Sequence, residues 1–550
     1  MRLNAPIREL HFSDGQVMTL ERDSIVVFVG PNNAGKTTCL RDIYSHLSGD
    51  PCQGLVASID YEKPSASDVT SLLGEISVES RDGLGRHEGM GFRVSGYDLE
   101  CYEKQLCYPK SIKEMLFRFL TTDARLSACN PEKSISREDA AIGPISQLIK
   151  DSSYLKKVSG AFKSAFALEV IPNYFVGGEV PLCLGATPTA PSDMSVSQIS
   201  DYMYDLLSGY PLAHLQGDGM RSFLGVVLYL YIDRYSALFI DEPESFLHPP
   251  QAALMGSLIA SNETADRQLF ISTHSKDLLN GMLNSGASRV RVVRVVRTEA
   301  GNSFALLGSD DVASLSSTTL LKYSDLVNAL FHERTILCES DSDCMFYQAI
   351  WDVVKDGESA PLFLPVGGKA RFKVFADLLF KLDIDYTVVA DADIIRDPGD
   401  FKDLLSRAGG GWDDVRDDWT DINNELGNDD GPNSMVLKAE INRILDACGD
   451  GKVSKINCSK IRNLLESKSR WDELKFHGEG ALRGVAFEAF KRIEKAFVAC
   501  GVYVVPVGEL ECFVPSASSH GPAWVAEVFQ QHPDLSDDIY SAAREFVSSW

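Results

Sequence analysis

The segment at residues 24–38, SIVVFVGPNNAGKTT, constrains the fold of this chain more than any other stretch. A run of β-branched and aromatic residues leads into Gly30, and residues 30–37 match the pattern G-x-x-x-x-G-K-[ST] at every defined position. Loops of this kind join a buried strand to a helix, and their backbone N–H groups surround phosphate oxygens. The segment therefore predicts a phosphate-binding loop at the edge of an α/β sheet.

Nucleotide contacts follow from the chemistry of this loop. The Lys36 ammonium would reach the β and γ phosphates of ATP, and the Thr37 hydroxyl would ligate Mg²⁺. The helix-like sequence CLRDIYSHL directly after the loop argues against a glycine-rich turn that binds no nucleotide. The loop residues predicted to bind ATP are Gly30, Asn33, Gly35, Lys36, Thr37 and Thr38.

Two further hydrophobic strands lie far downstream, and each ends in polar side chains. The strand ALFID ends at Asp241 and Glu242, and the strand LFIST is followed by His274. Asp241 would help to hold Mg²⁺, while Glu242 would orient or deprotonate the attacking water. His274 would reach the γ-phosphate of ATP. Three strand-end signals in this order predict ATP hydrolysis.

Composition narrows the class of protein. The chain has 550 residues, of which 44% are hydrophobic and 24% charged, as in soluble globular proteins. No apolar run approaches the roughly 18 residues of a membrane span, and the segment MRLNAPIREL lacks a signal-peptide pattern, so we expect a cytoplasmic protein with no membrane partner. The 12 cysteines form no C-x-x-C pair, which argues against structural zinc. Because the net charge is −25, any DNA-binding surface must be a local basic patch or use metal ions between carboxylates and phosphate.

A second group of acids follows in residues 335–393, where short apolar strands alternate with helices. This pattern predicts a parallel sheet, in which Glu339, Asp391 and Asp393 end strands at one edge. Alternation with Ala392 would point both aspartates the same way in an extended backbone. Carboxylates gathered without a neutralising Lys or Arg repel each other, so a hard cation such as Mg²⁺ or Mn²⁺ is predicted there. The alternative is that these acids are ordinary helix caps.

The nucleotide motifs together resemble those of the ATP-binding-cassette class of ATPases, in the branch related to chromosome-maintenance and DNA-repair proteins. In that class, a signature segment before the Asp-Glu strand completes the nucleotide site of a second subunit. The corresponding residues here are Gly217, Asp218 and Gly219, although Asp218 departs from the usual Leu-Ser-Gly-Gly form. The resemblance implies a homo-oligomer, either a dimer or a tetramer.

The order of the strand-end acids resembles the Toprim fold of topoisomerases, primases and a class of nucleases. An ATP-binding-cassette module followed by a Toprim module resembles the OLD (overcoming lysogenization defect) nucleases, including those of Gabija and some retron antiphage systems. The resemblance implies an α/β ATPase domain at 1–325 with a helical insertion at about 45–205. It also implies a Toprim-like parallel α/β domain at 326–550 with an insertion at about 397–500.

The same resemblance implies further metal ligands. The implied set is Glu339, Asp343, Asp391, Asp393, Glu509 and Glu511 in the Toprim-like domain, and Thr37 and Asp241 in the ATPase domain. The chain departs from the family in having Ser340 where a glycine is common and in having no lysine after Lys495. A catalytic cation would therefore come from Lys369, from Arg371 or from elsewhere.

The motifs and the resemblance together predict an ATP-regulated, divalent-metal-dependent DNA endonuclease that works by two-metal phosphodiester hydrolysis. A role in antiphage defence is implied by the family resemblance alone. The predicted catalytic residues are Glu242, His274, Glu339, Asp391 and Asp393. The expected partners are double-stranded DNA, further copies of the chain, and a defence partner that is a helicase or a retron reverse transcriptase with its small DNA. The alternatives are an ATP-dependent DNA-binding clamp with a non-catalytic Toprim domain and, less favoured, a primase-like nucleotidyl transferase.

Four stretches carry simpler predictions. The sequence SIKEMLFRFLTT at 111–122 is expected to be helical. Residues 288–297 are expected to form an exposed strand whose four arginines discourage edge pairing. The acidic residues 397–431 are expected to be a solvated insertion, and Lys156, Lys157 and Lys163 to lie on a solvated helix face.

Overall fold

The computed structural model describes residues 3–79, 85–136, 139–189, 191, 194–262, 267–299, 301–308, 325–355, 357, 360–407, 410–427, 434–446, 448, 453–465, 470–517 and 519–550. The chain forms two units, Met1–Phe331 and His332–Trp550. Within the described ranges, no helix combines the length and the apolar composition that crossing a bilayer requires.

The first unit contains short strands on both sides of the phosphate loop. In chain order the strands are β1 (Ile7–Phe12), β2 (Val17–Thr19), β3 (Ile25–Val29), β4 (Val56–Tyr61), β5 (Val78–Glu79), β6 (His87–Gly89), β7 (Phe92–Val94), β8 (Phe117–Leu120), β9 (Glu132–Lys133), β10 (Glu169–Pro172), β11 (Glu179–Val180), β12 (Leu182–Gly185), β13 (Ala237–Asp241), β14 (Gln268–Ser272), β15 (Val290–Thr298) and β16 (Gly301–Leu307).

Six of these strands form the central sheet, in the order β16-β15-β3-β14-β13-β8. The five strands from β15 to β8 run parallel, and β16 pairs antiparallel with β15. Asp241 at the end of β13 pairs with Ser272 at the end of β14, and Ser272 pairs with Phe28 near the end of β3. The carboxyl ends of three strands that carry predicted nucleotide contacts therefore lie side by side.

Helices and smaller sheets surround this central sheet. The helices of the first unit are Lys36–His46, Ala66–Ile76, Gly96–Lys104, Lys110–Leu116, Thr122–Ser127, Pro144–Lys150, Ser152–Phe166, Val196–Ser208, Asp218–Tyr231, Pro249–Ser261, Lys276–Gly286 and Leu326–Ala329. The smaller sheets are β2-β1-β4, β5-β6-β7, β10-β12 and β11-β9. Every residue of β3 is buried, as expected of a central parallel strand covered on both faces. Lys156, Lys157 and Lys163 are exposed on the helix Ser152–Phe166, as predicted.

Two predictions for the first unit are wrong. The stretch 111–122 is only partly helical, because the helix ends at Leu116 and β8 continues as the edge strand of the central sheet. The arginine-rich strand is not an exposed edge, since β15 lies between β3 and β16 and its central Arg294 is 1% exposed. In both cases pairing and burial in the sheet override the local sequence pattern.

The second unit contains a four-stranded parallel sheet in the order β18-β17-β19-β20. Its strands are β17 (Arg334–Cys338), β18 (Leu362–Pro365), β19 (Asp385–Ala390) and β20 (Val502–Val504). Its helices are Asp341–Val354, Phe372–Lys381, Pro398–Arg407, Trp412–Leu426, Ser434–Asp446, Lys455–Leu465, Arg470–His477, Gly484–Val498, Pro522–Gln531 and Ser541–Ser548.

An aromatic core packs against one side of this sheet and joins it to the last helices of the chain. Phe346 and Tyr347 contact Phe513, and Trp524 is fully buried beside Phe346. The acidic insertion also has an apolar side, because Phe401 and Ile422 are buried in its first two helices. The prediction of a merely solvated insertion is therefore wrong for 398–407 and 412–426, whereas residues 408–409 and 428–431 lie outside the described residues.

Candidate functional site

The phosphate loop follows β3, and its glycines lie where a side chain would clash with neighbouring atoms or strain the backbone. Gly30 has φ +144°, and a Cβ there would lie 2.2 Å from the Val295 carbonyl oxygen. Gly35 has φ +102° and Asn33 has φ +61°, so the loop turns through the left-handed region twice before the helix begins at Lys36. The helix N-terminus has no side-chain cap, and Thr37 and Thr38 lie in its first turn.

The Lys36 side chain is held inside the loop by backbone oxygens. It is 7% exposed, and its Nζ donates to the carbonyl oxygens of Gly30 at 2.9 Å and Pro31 at 2.8 Å. Burial lowers the pKa of Lys36, although the charges of Glu242, Glu244 and Asp241 oppose this shift. A buried ammonium that donates to two neutral carbonyl oxygens, beside an uncapped helix N-terminus, fits the phosphates of a nucleotide.

Two hydroxyl groups converge on the predicted magnesium ligand Asp241. The Oδ1 atom of Asp241 accepts from Thr37 Oγ1 at 2.7 Å and from Ser272 Oγ at 2.5 Å. The threonine and aspartate predicted to hold Mg²⁺ are thus in direct contact. No sequence motif marks Ser272, whose position follows from its register beside Asp241 in the sheet.

Glu242 and His274 lie together at the same sheet edge. His274 Nδ1 is 3.4 Å from Glu242 Oε1 and 3.6 Å from Glu244 Oε1. Glu244, also missed from the sequence, is 6% exposed and accepts from Thr273 Oγ1 at 2.6 Å and from the His274 N–H at 3.0 Å. Burial raises the pKa of Glu244. The backbone of Glu242 is in the left-handed region, with φ +49°, which is uncommon for a residue with a side chain.

The predicted signature residues lie at the start of a buried helix. Gly217 caps the helix Asp218–Tyr231, and a Cβ at Gly219 would lie 2.7 Å from the Phe246 carbonyl oxygen. Asp218 Oδ1 accepts from Arg221 Nη1 at 3.0 Å, so the acid that departs from the family pattern has a cationic partner. The sharing of this segment with a nucleotide on another subunit stays a prediction.

In the second unit, three predicted metal ligands meet at the carboxyl edge of the sheet. One oxygen from each of Glu339, Asp391 and Asp393 can be chosen so that all three lie within 4.8 Å of one another. The route to this arrangement differs from the prediction, because β19 ends at Ala390 and residues 392–396 form a 3-10 turn capped by Asp391. A tight turn, rather than extended alternation, therefore brings the two aspartates together.

The electrostatics of this group favour a bound cation. Burial and the charges of Asp393 and Asp343 raise the pKa of Glu339 to about 7, although Lys369 opposes the shift. Burial and the charge of Glu339 raise the pKa of Asp391 well above its ordinary value. Glu339 Oε1 is buried and has no hydrogen-bond partner among the described residues. An orphaned buried carboxylate oxygen beside two other acids fits a divalent cation with oxygen ligands.

Two lysines lie beside these acids, which corrects the assumption that the group lacks a neutralising cation. Lys369 Nζ is 2.7 Å from Asp393 Oδ2, and Lys475 Nζ is 3.3 Å from Glu509 Oε2. Burial disfavours the charged form of Lys475, but Glu509, Asp393 and Asp391 outweigh burial and raise its pKa. Lys369 is predicted from its place after the Gly-Gly turn, whereas no motif marks Lys475, which lies in a helix of the insertion.

The remaining predicted ligands are engaged in other contacts. Asp343 Oδ2 accepts from the Ser340 N–H at 2.8 Å and from Ser340 Oγ at 2.9 Å, so Asp343 forms a capping box with the N-cap residue Ser340 of the helix Asp341–Val354. Glu509 is paired with Lys475, and burial raises the pKa of Glu509. Glu511 Oε1 accepts from the Gly521 N–H at 2.9 Å. None of these three acids belongs to the 4.8 Å group of the described residues.

Two known protein families match the chain, in the same order along the sequence as the nucleotide and carboxylate motifs. Residues 203–280 match the family described as "AAA domain, putative AbiEii toxin, Type IV TA system". Residues 330–393 match the family described as "Overcoming lysogenization defect protein-like, TOPRIM domain". The matched ATPase and Toprim segments imply the use of a nucleotide and of a divalent metal.

Individual relatives are distant. The chain is 25% identical over 179 residues to the Old nuclease of Escherichia phage P2, a match that covers 31% of this chain and 30% of that protein. The chain thus matches less than a third of the length of this relative. An SMC head bound to the C-winged helix domain of ScpA gives a TM-score of 0.32 at 10% identity, covering 57% of this chain and 100% of that one. The SMC head domain from Thermotoga maritima gives a TM-score of 0.30 at 10% identity. That match covers 56% of this chain and 99% of the other.

The two family matches occur in the order ATPase, then Toprim, and the P-loop α/β sheet of the first unit and the parallel sheet of the second agree with them. Together with the similarity to the Old nuclease, these two matches support an OLD-family ATPase–Toprim protein.

Proposed function

We propose that this protein is an ATP-regulated, divalent-metal-dependent DNA endonuclease. The observation that carries the proposal is the convergence of Glu339, Asp391 and Asp393, with a buried Glu339 oxygen that lacks a hydrogen-bond partner among the described residues. A phosphodiester can be cleaved by hydrolysis where divalent ions activate water and stabilise negative charge at phosphorus. The similarity to the Old nuclease supports this reaction over nucleotidyl transfer.

In this proposal each residue of the sheet edge has a defined task. Glu339, Asp391 and Asp393 hold the metal ions, while Lys369 forms a 2.7 Å ion pair with Asp393. Lys475 is the second cation close enough to attract a DNA phosphate toward this strongly acidic unit. Asp343 and Glu509 act from the rim of the site, the first by capping a helix and the second by holding Lys475.

The ATPase unit regulates cleavage in this proposal. Lys36 and the loop amides bind the phosphates of ATP, and Thr37 and Asp241 hold its Mg²⁺. Glu242 orients the attacking water or deprotonates it as a general base, and His274, whose Nδ1 is 3.4 Å from Glu242 Oε1, contacts the γ-phosphate. The segment Gly217–Gly219 contacts the nucleotide of another subunit, so the active species is a homo-oligomer.

The biological role proposed is antiphage defence on double-stranded DNA. It rests on the family resemblance and on the similarity to a phage P2 protein named Old nuclease. A helicase or a retron reverse transcriptase with its small DNA is the proposed partner class. The proposed substrate can be tested without knowing that partner.

The test is a plasmid-nicking assay with purified protein in Mg²⁺ or Mn²⁺, with and without ATP, and with EDTA as the metal-free condition. Wild type should nick the plasmid, EDTA should stop the reaction, and Asp391→Asn should be inactive. Asp385→Asn is the matched control, because Asp385 starts the same strand and its side chain is 75% exposed. If wild type fails to nick DNA under every metal and nucleotide condition but binds it with ATP, a DNA clamp replaces the nuclease.

A further inference from the structure

Arg125 is a fully buried guanidinium behind the Asp241–Glu242 turn. It is 0% exposed and lies in the helix Thr122–Ser127, which directly follows strand β8. Its Nη1 donates to the Asp241 carbonyl oxygen, and its Nη2 donates to the Glu242 carbonyl oxygen at 3.1 Å. One side chain thus holds two consecutive carbonyls in the turn that carries the proposed general base.

The same guanidinium also reaches the helix that begins at the signature segment. Arg125 Nε donates to Ser222 Oγ at 3.2 Å, and Ser222 is 0% exposed in the second turn of the helix Asp218–Tyr231. The two helices are in close contact, since a Cβ at Gly225 would lie 2.2 Å from the Arg125 carbonyl oxygen. Because the packing is this close, a displacement of this helix would also displace Arg125.

The rest of the guanidinium is tied to its own segment. Nη1 also lies 3.4 Å from the Leu120 carbonyl oxygen, and Nη2 donates to Thr122 Oγ1 at 3.3 Å. Burial lowers the pKa of Arg125, but negative charge at Glu244, Asp241 and Glu242 opposes the shift. A planar group with five donors can serve three segments at once, whereas a lysine ammonium cannot reproduce that fork.

Arg125 binds the backbone of Glu242, which has an unfavourable left-handed conformation. Glu242 has φ +49°, a conformation that persists in a non-glycine residue only when its surroundings hold it. The carbonyl groups on both sides of the Glu242 Cα are the two acceptors of Arg125. Their hydrogen bonds fix the direction in which the Glu242 carboxylate leaves the main chain, toward His274 at 3.4 Å.

We propose that Arg125 is a positioning residue for ATP hydrolysis that couples the helix Asp218–Tyr231 to the Glu242 turn. Phosphate contact at Gly217–Gly219 shifts the start of this helix, Ser222 moves with it, and Arg125 passes the shift to the backbone of Glu242. The inference rests on the proposed ATPase activity. It adds a residue between the signature segment and the general base, in a region to which the sequence assigns no chemistry.

The first test compares Arg125→Lys with Arg118→Lys in the full-length protein. Arg118 is the matched control, because it lies on β8 and its Nη2 donates to Tyr229 at 3.2 Å, near the far end of the same helix. Arg125→Lys should lower kcat for ATP about 10- to 100-fold, as expected when a reacting group is misplaced by about an ångström. The KM for ATP should stay within about twofold, since Arg125 donates to no residue of the phosphate loop in the described structure. Arg118→Lys should turn over ATP like wild type.

A double-mutant cycle separates positioning from mere stability. In a Glu242→Gln background, Arg125→Lys should reduce the remaining ATP turnover by less than about twofold, because the group it positions is gone. Fully multiplicative losses would overturn the proposal. If Arg125→Lys does not fold, Ser222→Ala removes only the link to the helix and should still lower kcat at unchanged KM.

The outcomes distinguish this inference from the function on which it rests. Wild type without ATP turnover in any metal or DNA condition would overturn the ATPase proposal and the positioning role together. Wild-type turnover with an unchanged kcat in both Arg125→Lys and Ser222→Ala would overturn the positioning role alone. A rise in KM with unchanged kcat would also contradict it, because that pattern indicates a binding residue.

Discussion

The two sheet edges differ in how far the protein itself satisfies their acids. At the first edge, Asp241 accepts from two hydroxyl groups, and Glu244 Oε1 accepts from a hydroxyl and a backbone N–H, although Glu244 Oε2 is buried without a partner among the described residues. At the second edge, Glu339 keeps a buried oxygen without a partner among the described residues, and its pKa is raised to about 7. The predicted magnesium ligand of the first edge is thus held by the chain's own donors, whereas burial and charge repulsion among the predicted ligands of the second edge raise the pKa of Glu339 and of Asp391.

This difference indicates what each edge requires for function. A nucleotide brings its own magnesium ion and its own charge, so the ATPase edge can be assembled before the ligand arrives. A nuclease edge must bind metal ions from solution. Carboxylates that repel one another favour a bound cation, because its positive charge relieves the repulsion. Metal should therefore matter more to the stability of the second unit than to that of the first.

The largest expected effect is on DNA cleavage. Asp391→Asn should lower plasmid nicking by at least about 1,000-fold, since metal-held water and charge stabilisation supply several kcal/mol of the barrier reduction. ATP turnover should stay within about twofold of wild type, because Asp241 and Glu242 are in the other unit. Parallel nicking and ATPase assays on one preparation check both statements. A variant that still nicks at the wild-type rate would break the distinction between the two edges.

The next effect is on nucleotide binding. Lys36→Ala should weaken ATP binding by about 100-fold, because it removes a buried ammonium from the phosphate site. Titration with a fluorescent ATP analogue measures this change, and Lys104→Ala is the control because its side chain is 75% exposed. Mn²⁺ binding in the absence of ATP should be unchanged in Lys36→Ala. An ATP affinity equal to that of wild type would contradict the site.

A smaller effect should follow from Ser272→Ala. This variant removes one of the two hydroxyl donors to Asp241, and a hydrogen bond to a charged group contributes roughly 1.5–3 kcal/mol. ATP turnover should fall about tenfold if that energy is available in the transition state. Ser245→Ala is a useful comparison, since its 3.3 Å hydrogen bond to Glu242 is longer. ATP turnover is measured by steady-state kinetics. A larger loss of turnover in Ser245→Ala than in Ser272→Ala would argue against the role given to Asp241.

The smallest effect concerns pH and stability. The pKa of Glu339 is about 7 in the folded chain against an ordinary 4.5. A carboxyl whose folded pKa is raised destabilises the folded state as pH rises through this window, by up to about 1.4 kcal/mol per pH unit. The metal-free protein should therefore lose unfolding free energy between about pH 5 and pH 7, and Mg²⁺ should raise Tm more at pH 8 than at pH 6. Glu339→Gln should flatten this pH dependence, and an unchanged slope would contradict the assignment.

The strand-end residues could be predicted from the sequence because parallel strands present their carboxyl ends along one edge. Lys36, Thr37, Asp241, Glu339, Asp391 and Asp393 all follow from that rule together with local motifs. Arg125 and Lys475 could not be predicted, because each reaches its site from a helix that is distant in sequence and carries no motif. The turn at Asp391 was also out of reach, since an extended strand and a tight turn can both gather two aspartates separated by one residue.

Burial explains the remaining differences from the sequence prediction. The arginine-rich strand β15 looks like a solvated edge, yet its valines pack on the core and β16 covers its outer side. The segment Phe117–Leu120 continues an apolar helix in sequence, but pairing with β13 makes it a strand. In each case long-range pairing decided the outcome, and no local pattern encodes it.

The central claim is that Glu339, Asp391 and Asp393 hold divalent metal, and calorimetric titration of Mn²⁺ into nucleotide-free protein tests it most directly. Wild type and Asp385→Asn should bind Mn²⁺ with equal affinity and release protons, since Glu339 is partly protonated near neutral pH. Asp391→Asn should lose this binding, while its circular dichroism and its ATP affinity stay those of wild type. Equal Mn²⁺ binding by wild type and Asp391→Asn would contradict the account.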